Sequence, residues 1–441
     1  MTQFDPTGPL AALAPEEGLP ALSAAGLEVG GILEKALKGD EVTIEEGARL
    51  FESTGAELRP LFATADHLRG EVAGDHATYV VNRNINFTNV CIKQCGFCAF
   101  SRGHRAAEGY FLPMEEVLRR AQEAWDLGAT EVCVQAGLAP GMDGWHYVHV
   151  LRAIKEALPA IHVHAFSPEE VLYGAEQAGT TVEAYLTALR DAGIGSLPGT
   201  SAEILDDAVR DRISPGRITT AQWLDLIGTA HRLGIRTTST MMYGHLETSH
   251  HKALHLARLR DLQKETGGIT EFVPLGFIAE DAPMFRNRRP EGLRGGPTGI
   301  ETLKMYAVSR IMLHGWIPNI QVSWVKEGLK LAQVGLMAGA NDLGGTLINE
   351  SISTAAGAAH GQLQTPSRLR ALAREMGRVP VERDTLYNHL RVFEDPANDP
   401  TDPLDEVQDP TTRFGSYKAL IGQNDHRFKA QFRNKGGTAA T

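Results

Sequence analysis

Three cysteines that lie close together are the residues in this chain whose type and spacing could do chemistry. Cys91, Cys95 and Cys98 stand in the stretch NVCIKQCGFCAF, and they are three of the four cysteines among 441 residues. Thiolates are soft ligands that suit zinc or iron–sulfur clusters. Because a tetrahedral metal site commonly uses four protein ligands, a group of three raises the question of what the remaining ligand is.

Three interpretations of this group stay open on spacing alone. The cysteines could be unligated or prone to form disulfides, although such clustering is rare by chance. They could hold zinc together with a histidine such as His104, but structural zinc sites usually combine two close pairs of ligands, and the sequence has no second pair. They could hold a [4Fe–4S] cluster with one iron open, whereas ferredoxin-type clusters normally use four cysteines. Cys133 lies in the middle of the strand-like stretch EVCVQ, which favours a buried core cysteine.

The elements that must position these cysteines form a regular alternation. Eight strand–helix units are predicted from Tyr79 to Gly345, starting with the strand TYVVNRNINF. Alternating strands and helices imply a parallel sheet, and eight such units over about 270 residues predict an α/β fold, a (β/α)8 TIM-type barrel. A six-unit partial barrel or an open doubly wound sheet is the alternative, because strands seven and eight are short. The cysteines follow strand one, at the end of the barrel where active sites gather.

The rest of the chain is predicted to surround this barrel. Helices are expected over 30–38 and 44–69, from apolar residues at helical spacing. The stretch after residue 393 is rich in proline and aspartate, which predicts an extended segment. The predicted organisation is a flexible N-terminal tail (1–30), N-terminal helices packing on the barrel (31–76), the barrel (77–361), a C-terminal helical extension (362–393) and a Pro/Asp-rich tail (394–441).

Composition excludes several classes of protein. The net charge of −11 argues against a nucleic-acid-binding protein, which usually carries a basic patch. The first residues lack the basic region of a signal peptide, so no signal peptide is expected. The sequence contains no apolar stretch of about 18 residues, so no transmembrane helix is expected. Four cysteines do not make a disulfide framework. A cytoplasmic protein, with neither nucleic acid nor membrane as partner, is therefore expected.

The cysteine motif resembles that of a known enzyme superfamily. C-x3-C-x2-C with an aromatic residue before the last cysteine, placed after the first strand of a barrel, resembles the radical S-adenosylmethionine (SAM) enzymes. The resemblance implies one [4Fe–4S] cluster held by the three cysteines, with the amino and carboxylate groups of SAM on the fourth iron. Reductive cleavage of SAM would then yield methionine and a 5′-deoxyadenosyl radical.

The same resemblance implies a SAM-binding role for four further residues: Phe97, Gln135, Gly137 and Glu203. Each also has an ordinary interpretation, such as loop packing for Phe97 or an acid in the first turn of a helix for Glu203. Ala136 departs from the family, because a glycine is usual there and alanine lacks the freedom of glycine at positive φ.

Longer stretches of the sequence indicate which branch of this superfamily the chain resembles. NRNINFTNVC, HVHAFSPEEVLYGA and GANDLGGTL, among others between about residues 79 and 361, resemble the tyrosine-using subunit of FO synthase, the CofH family. The resemblance implies transfer of a 4-hydroxybenzyl group from L-tyrosine to 5-amino-6-(D-ribitylamino)uracil, for the synthesis of FO and its deazaflavin coenzyme. The products would be 5-amino-5-(4-hydroxybenzyl)-6-(D-ribitylimino)-5,6-dihydrouracil, 2-iminoacetate, methionine and 5′-deoxyadenosine. A low-potential electron donor and a ring-closing partner subunit would be needed.

Two alternatives stay beside this interpretation. The radical SAM enzymes of the menaquinone futalosine pathway, aminofutalosine synthase and the futalosine cyclase, share several motifs with it. A zinc-stabilised module without enzymatic activity is the alternative from another class. Polar residues at predicted strand ends are the candidates for substrate contacts, although a capping or barrel-filling role suits each of them as well: Asn84, Asn86, His164, Tyr243, His245 and Glu247.

Overall fold

Eight parallel strands form a barrel at the centre of the structure, a computed structural model that describes residues 22–93, 95–287 and 289–429. Seven strands follow one another in chain order in one parallel sheet. They are β2 (Asn82–Ile85), β3 (Glu131–Val134), β4 (His162–Ala165), β5 (Ser196–Leu197), β6 (Arg236–Tyr243), β7 (Ile269–Gly276) and β8 (Asn319–Ile320). Each corresponds to one of the predicted strands, the short ones included.

The eighth strand, β9 (Asp342–Gly345), joins the two edges of this curled sheet. On one side the N–H of Asn341 donates to the carbonyl of Ile320 at 3.1 Å. On the other side Ile348 pairs in parallel with Arg83, and its N–H donates to Asn82 at 3.0 Å. The predicted TIM-type barrel is therefore confirmed, and the open sheet and the six-unit barrel are set aside.

Helices surround the barrel and begin where the capping signals stand in the sequence. Ser167 caps α6 (Pro168–Ala178) with Glu170 in a capping box, and Thr219 caps α9 (Thr220–Arg232) in the same way with Gln222. The other helices of the barrel region are α4 (Met114–Asp126), α5 (His146–Ala157), α7 (Val182–Asp191), α8 (Asp207–Ile213), α10 (Ser249–Thr266), α11 (Pro283–Arg286), α12 (Gly299–Leu313), α13 (Trp324–Glu327), α14 (Leu329–Gly335) and α15 (Ile352–Ala355). Among the described residues, no helix has the length and apolar character needed to cross a membrane.

The N-terminal helices differ from the prediction in two places. Instead of one helix over 44–69, the chain forms α2 (Ile44–Phe51) and α3 (Leu58–Ala73), because Thr54 and Glu57 start a new helical segment with their own capping box. α2 packs against the barrel helices α10 and α12, and α3 packs against α12. The predicted tail over 1–30 is wrong from residue 22 onward. Residues 22–25 form a 3-10 turn, and α1 (Gly26–Leu37) follows it and buries Val29. Residues 1–21 lie outside the described part.

The predicted extension over 362–393 is only partly helical. It holds α16 (Pro366–Glu375) and a hairpin of β10 (Val379–Arg383) and β11 (His389–Val392). β10 pairs in parallel with β1 (His76–Val80), the segment that precedes β2 in the chain. The β-branched residues of VPVER fit a strand better than a helix, which explains the difference.

A short segment of the hairpin, residues 383–387, closes the amino-terminal end of the barrel, and we call it the bottom plug. Arg383 donates to both carboxylate oxygens of Asp342 at 2.6 and 3.0 Å. Thr385 donates to Glu131 at 2.7 Å, and the hydroxyl of Tyr387 donates to Glu271. Three barrel strands are thus tied to a segment that comes after all eight of them in the chain.

The predicted Pro/Asp-rich tail is also folded as far as residue 429. Asp395, Asp402 and Asp409 each stand at the N-cap of a short helical turn with proline at its first position. Aspartate at an N-cap followed by proline is a helix-start signal, so the composition that predicted an extended segment instead starts α17 (Pro410–Phe414) and two 3-10 turns. α18 (Tyr417–Gly422) follows, and residues 430–441 lie outside the described part.

Candidate active site

The three cysteines line one cavity at the carboxyl-terminal end of the barrel strands. The cavity has a volume of about 250 Å³ and is lined by the segments that follow most of the strands. All four residues predicted to bind SAM line it together with the cysteines: Phe97, Gln135, Gly137 and Glu203. The fold therefore brings this whole predicted group to one place.

Backbone hydrogen bonds fix the cysteine loop over the cavity. The N–H of Gly96 donates to Ile213 at 2.7 Å, and the carbonyl of Gly96 accepts from Met284 at 2.7 Å. The N–H of Cys91 donates to Arg102 at 3.0 Å. Because Ile213 and Met284 belong to distant parts of the chain, the loop is held by the fold as well as by its own turns.

The folded tail supports the same loop from outside. Tyr417 donates its hydroxyl hydrogen to the carbonyl of Phe100 at 2.9 Å and accepts from the side chain of Asn89 at 3.3 Å. The rings of Phe100 and Tyr417 lie 5.2 Å apart, and Phe428 donates its N–H to Gly109 at 2.8 Å. The C-terminal tail is therefore part of the framework around the cysteines.

The environment of the thiols suits ligands that are deprotonated by a metal. Burial raises the pKa of Cys95 to about 12, opposed by the nearby Arg217. Burial also raises the pKa of Cys91, while N–H groups of Leu138 and Lys93 that donate to its sulfur act in the other direction. A coordinating metal deprotonates a thiol outright, so these donors and the guanidinium would stabilise metal-bound thiolates. Three soft ligands around one cavity fit a [4Fe–4S] cluster with an open iron.

Cys133 stands apart from this group. It lies in β3, between Asn84 of β2 and His164 of β4 in register, and it does not line the cavity. Burial raises the pKa of its thiol well above the usual value. A buried thiol of this kind is an unreactive core residue.

The loop after β3 shows why Ala136 is tolerated. Ala136 does not adopt a positive φ, so alanine carries no backbone strain there. Its N–H donates to the carboxylate of Glu170 at 2.9 Å. Burial raises the pKa of Glu170 to about 7, although this N–H and two donors of Ser167 act in the other direction. Position 137 is the one that requires glycine, because a Cβ there would lie under 3.0 Å from the carbonyl oxygen of Val90.

Replacing Gly137 by alanine is therefore expected to push the Val90–Cys91 segment away. Overpacking of this kind typically costs about 1–3 kcal/mol, and the displaced Cys91 should lower the iron content of the reconstituted protein. Urea unfolding and iron analysis measure both effects. Gly103→Ala is the matched control, because a Cβ at Gly103 has nothing within 4 Å. Equal stability of the two variants would show that the contact at Gly137 is not tight.

A buried arginine that the sequence did not single out organises the acids of the cavity. Arg217 donates to Glu203 at 3.0 Å, to Ser201 at 2.5 Å and to Glu169 at 3.3 Å. Its guanidinium carbon lies 5.8 Å from the centre of the Phe97 ring. Burial alone would lower the pKa of Arg217, yet Cys95, Glu203 and Glu169 hold it above its usual range.

Two acids and one lysine complete the polar lining that sequence patterns missed. Glu169 and Glu170 read as ordinary first-turn acids of α6, although both line the cavity. Lys93 forms an ion pair with Glu169 at 3.1 Å. Nothing in the local pattern around Arg217 or Lys93 distinguishes them from surface residues, because their partners lie far away in the sequence.

The predicted substrate residues do not line this cavity. The side chain of Asn86 donates to the carbonyl of Gln135 at 2.8 Å, and His164 shares a 2.7 Å hydrogen bond with Ser196 inside the barrel. Asn84 lies in β2 opposite Cys133. These three residues therefore have places in the barrel wall.

The candidates at the end of β6 lie elsewhere. Glu247 accepts the N–H groups of Gly244 and His245 and pairs with Arg294 at 2.6 Å, which is a loop-stabilising role, while Thr248 caps α10. Tyr243 donates to Thr302 at 3.1 Å and lines a second cavity.

Two family models match the chain. The model of the radical SAM superfamily matches residues 85–259, and the model described as the CofH/MqnC C-terminal region matches residues 266–395. Together they span the barrel and the hairpin that closes it.

Curated proteins resemble the chain over most of its length. A 5-amino-6-(D-ribitylamino)uracil–L-tyrosine 4-hydroxyphenyl transferase of Methanothermobacter thermautotrophicus is 50% identical over 360 residues, which are 81% of this chain and 97% of that protein. The transferase of the same name from Methanocaldococcus jannaschii is 48% identical over 353 residues, 79% of this chain and 97% of that protein. An FO synthase of Nocardia farcinica is 48% identical over 341 residues, 77% of this chain and 39% of that longer protein.

Solved structures resemble the fold. The [FeFe]-hydrogenase maturase HydG of Carboxydothermus hydrogenoformans superposes with a TM-score of 0.63 at 17% identity, covering 82% of this chain and 80% of that one. Methylornithine synthase superposes with a TM-score of 0.57 at 18% identity, covering 78% and 95%. At these identities the likeness concerns the barrel architecture alone.

Proposed function

The chain belongs to the radical SAM superfamily and, within it, to the 5-amino-6-(D-ribitylamino)uracil–L-tyrosine 4-hydroxyphenyl transferases, and we propose from this that it joins these two substrates in FO synthesis. The observation that carries the proposal is the 50% identity to a transferase of that name over 97% of its length. The C-terminal family model is described by two names, CofH and MqnC, so it does not separate these two branches by itself.

The cysteine cavity supports the cofactors that this family uses. We propose that Cys91, Cys95 and Cys98 hold one [4Fe–4S] cluster and that SAM occupies the rest of the cavity. When bound, the cluster and SAM supply a 5′-deoxyadenosyl radical by reductive cleavage, with the electron taken from a low-potential donor. The role of the protein is to hold the reactants in place and to keep water away from the radical.

The polar lining suits the charged ends of SAM. Arg217 holds the carboxylate of Glu203 in place, so that Glu203 can accept hydrogen bonds from the ribose or the amino group of SAM. Glu170 acts through another residue, since it holds the N–H of Ala136 and thereby the loop that reaches Gly137. Glu170 is therefore a positioning residue, and Phe97 supplies an apolar surface for the adenine.

The opposite wall of the cavity is apolar. Met242, Leu275, Phe277 and Ile278 line it, and three of them follow one another closely at the end of β7. Close packing of such side chains around the reactants would hold them in the reacting geometry, which favours transfer to the uracil over side reactions. We propose that the product then passes to an enzyme that closes the third ring of FO.

The test is a substrate comparison with the reconstituted protein under anaerobic conditions. With SAM and a reductant, tyrosine and the diaminouracil should together give 5′-deoxyadenosine, 2-iminoacetate and the benzylated uracil. Futalosine-pathway precursors should give no product. Deoxyadenosine formation that does not depend on tyrosine, or that depends on a menaquinone precursor, would overturn the proposal.

A further inference from the structure

A second cavity adjoins the active-site cavity on the side of β7. It has a volume of about 360 Å³ and shares part of its wall with the first, namely residues 276–278 and Lys326. The remaining wall includes Tyr243, Thr302 and Glu327. Ligands that enter the two cavities would therefore meet at this shared wall.

Lys326 in α13 is the cation of the shared wall, and the acids that act on its charge, Glu350 and Glu203, form no ion pair with it. Within 22–93, 95–287 and 289–429, its ammonium group has neither a hydrogen-bond acceptor nor an ion-pair partner. The other two cations that line the first cavity are both paired, Arg217 with Glu203 at 3.0 Å and Lys93 with Glu169 at 3.1 Å. Burial lowers the pKa of Lys326, opposed mainly by Glu350. Lys326 is partly buried at this wall, so an anionic ligand that enters either cavity can form a charge-assisted hydrogen bond with its ammonium group.

The neighbouring carboxyl group does not serve as that partner. Glu327 accepts the hydroxyl hydrogen of Tyr306, whose oxygen lies 2.6 and 2.7 Å from its two carboxylate oxygens. Burial raises the pKa of Glu327 to about 7, so near neutral pH much of it is uncharged. Glu280 is the other carboxyl group that lines the second cavity, and among the described residues neither it nor Glu327 forms an ion pair with Lys326.

We propose that Lys326 binds the α-carboxylate of the amino-acid substrate where the two cavities meet, which rests on the proposed function. Of the two substrates, only tyrosine carries a carboxylate, so an ammonium here distinguishes it from the uracil. The hydroxyl-bearing residues of the second cavity, Tyr243 and Thr302, suit the phenol end of the same molecule. SAM is the other source of a carboxylate, and Glu203 of the proposed SAM site also acts on the charge of Lys326, so the binding of both ligands has to be compared.

Equilibrium dialysis of the cluster-loaded protein tests the assignment. Lys326→Met should weaken tyrosine binding about 10- to 100-fold, the range expected for loss of a charged hydrogen bond, and leave SAM binding unchanged. Tyramine, which lacks the carboxylate, should bind equally to both proteins. Lys326→Arg should recover part of the affinity for tyrosine. Lys330→Met is the matched control, since Lys330 is exposed nearby and should have no effect.

A measurement without tyrosine separates binding from folding. If Lys326 serves a ligand, Lys326→Met should be at least as stable as the unaltered protein to heat, because the ammonium group makes no hydrogen bond or ion pair with the described residues that the substitution would remove. A lower Tm for Lys326→Met would point to a structural role and overturn the proposal, as would a loss of SAM affinity with tyrosine affinity intact. Failure of the unaltered protein to bind tyrosine would overturn the proposed function itself.

Discussion

Replacing Cys91, Cys95 or Cys98 by alanine is expected to abolish the iron–sulfur cluster and to reduce 5′-deoxyadenosine formation to background. Each thiol is one of the three that line the cavity, and no further cysteine lines it that could replace a lost ligand. Iron and sulfide analysis of anaerobically reconstituted protein measures the loss directly. Activity alone would not distinguish a missing cluster from a displaced substrate.

Cys133→Ala is the matched control for this experiment. Its thiol lies in β3 outside the cavity, so the variant should keep its full iron and sulfide content and lose only a little stability. A cluster that survives Cys98→Ala but not Cys133→Ala would show that the ligands are assigned wrongly. One zinc ion per chain in place of iron would support the zinc alternative.

The second large effect is expected for Arg217→Met. Methionine keeps much of the side-chain volume and removes the charge that pairs with Glu169 and Glu203. Breaking a buried ion pair by removing one partner typically costs about 3–5 kcal/mol, and urea unfolding would measure the loss. We also expect weaker SAM binding, because Glu203 would no longer be held in place.

Two further variants sharpen this prediction. Arg152→Met removes an exposed arginine and should change the free energy of unfolding by less than about 0.5 kcal/mol. Adding Glu203→Gln to Arg217→Met removes one of the stranded charges and should recover part of the lost stability. If Arg217→Met were as stable as Arg152→Met, the pairing network would not be important for the fold.

The barrel could be predicted from sequence because its signals are local. The strands alternate with helices, and several of these helices carry their own cap, as Ser167 and Thr219 show. The end of the chain could not be predicted in this way. Asp402 and Asp409 start helical turns, yet a high content of aspartate and proline also marks disordered segments. Only packing against the barrel decides between the two.

The candidate site likewise contains residues that could be predicted from the sequence and residues that could not. The cysteines could be found because residue type and spacing alone predict their chemistry. Arg217 could not, since its partner Glu169 lies 48 residues away in the sequence and only the fold brings them together. At the end of β6, sequence favoured Tyr243, whereas Thr240 and Met242 line the first cavity. A two-residue strand period places alternate residues on different sides, and the sequence did not show which side faces the cysteines.

The bottom plug and the tail also set the order in which the protein can be completed during its synthesis. All eight barrel strands leave the ribosome before residues 383–387, which seal their amino-terminal end, because a chain is made from its N-terminus. The residues that support the cysteine loop, Tyr417 and Phe428, are made later still. Cys98 is therefore translated 319 residues before Tyr417. Until the tail residues have been translated, the cysteine loop lacks the contacts of Tyr417 with Phe100 and of Phe428 with Gly109.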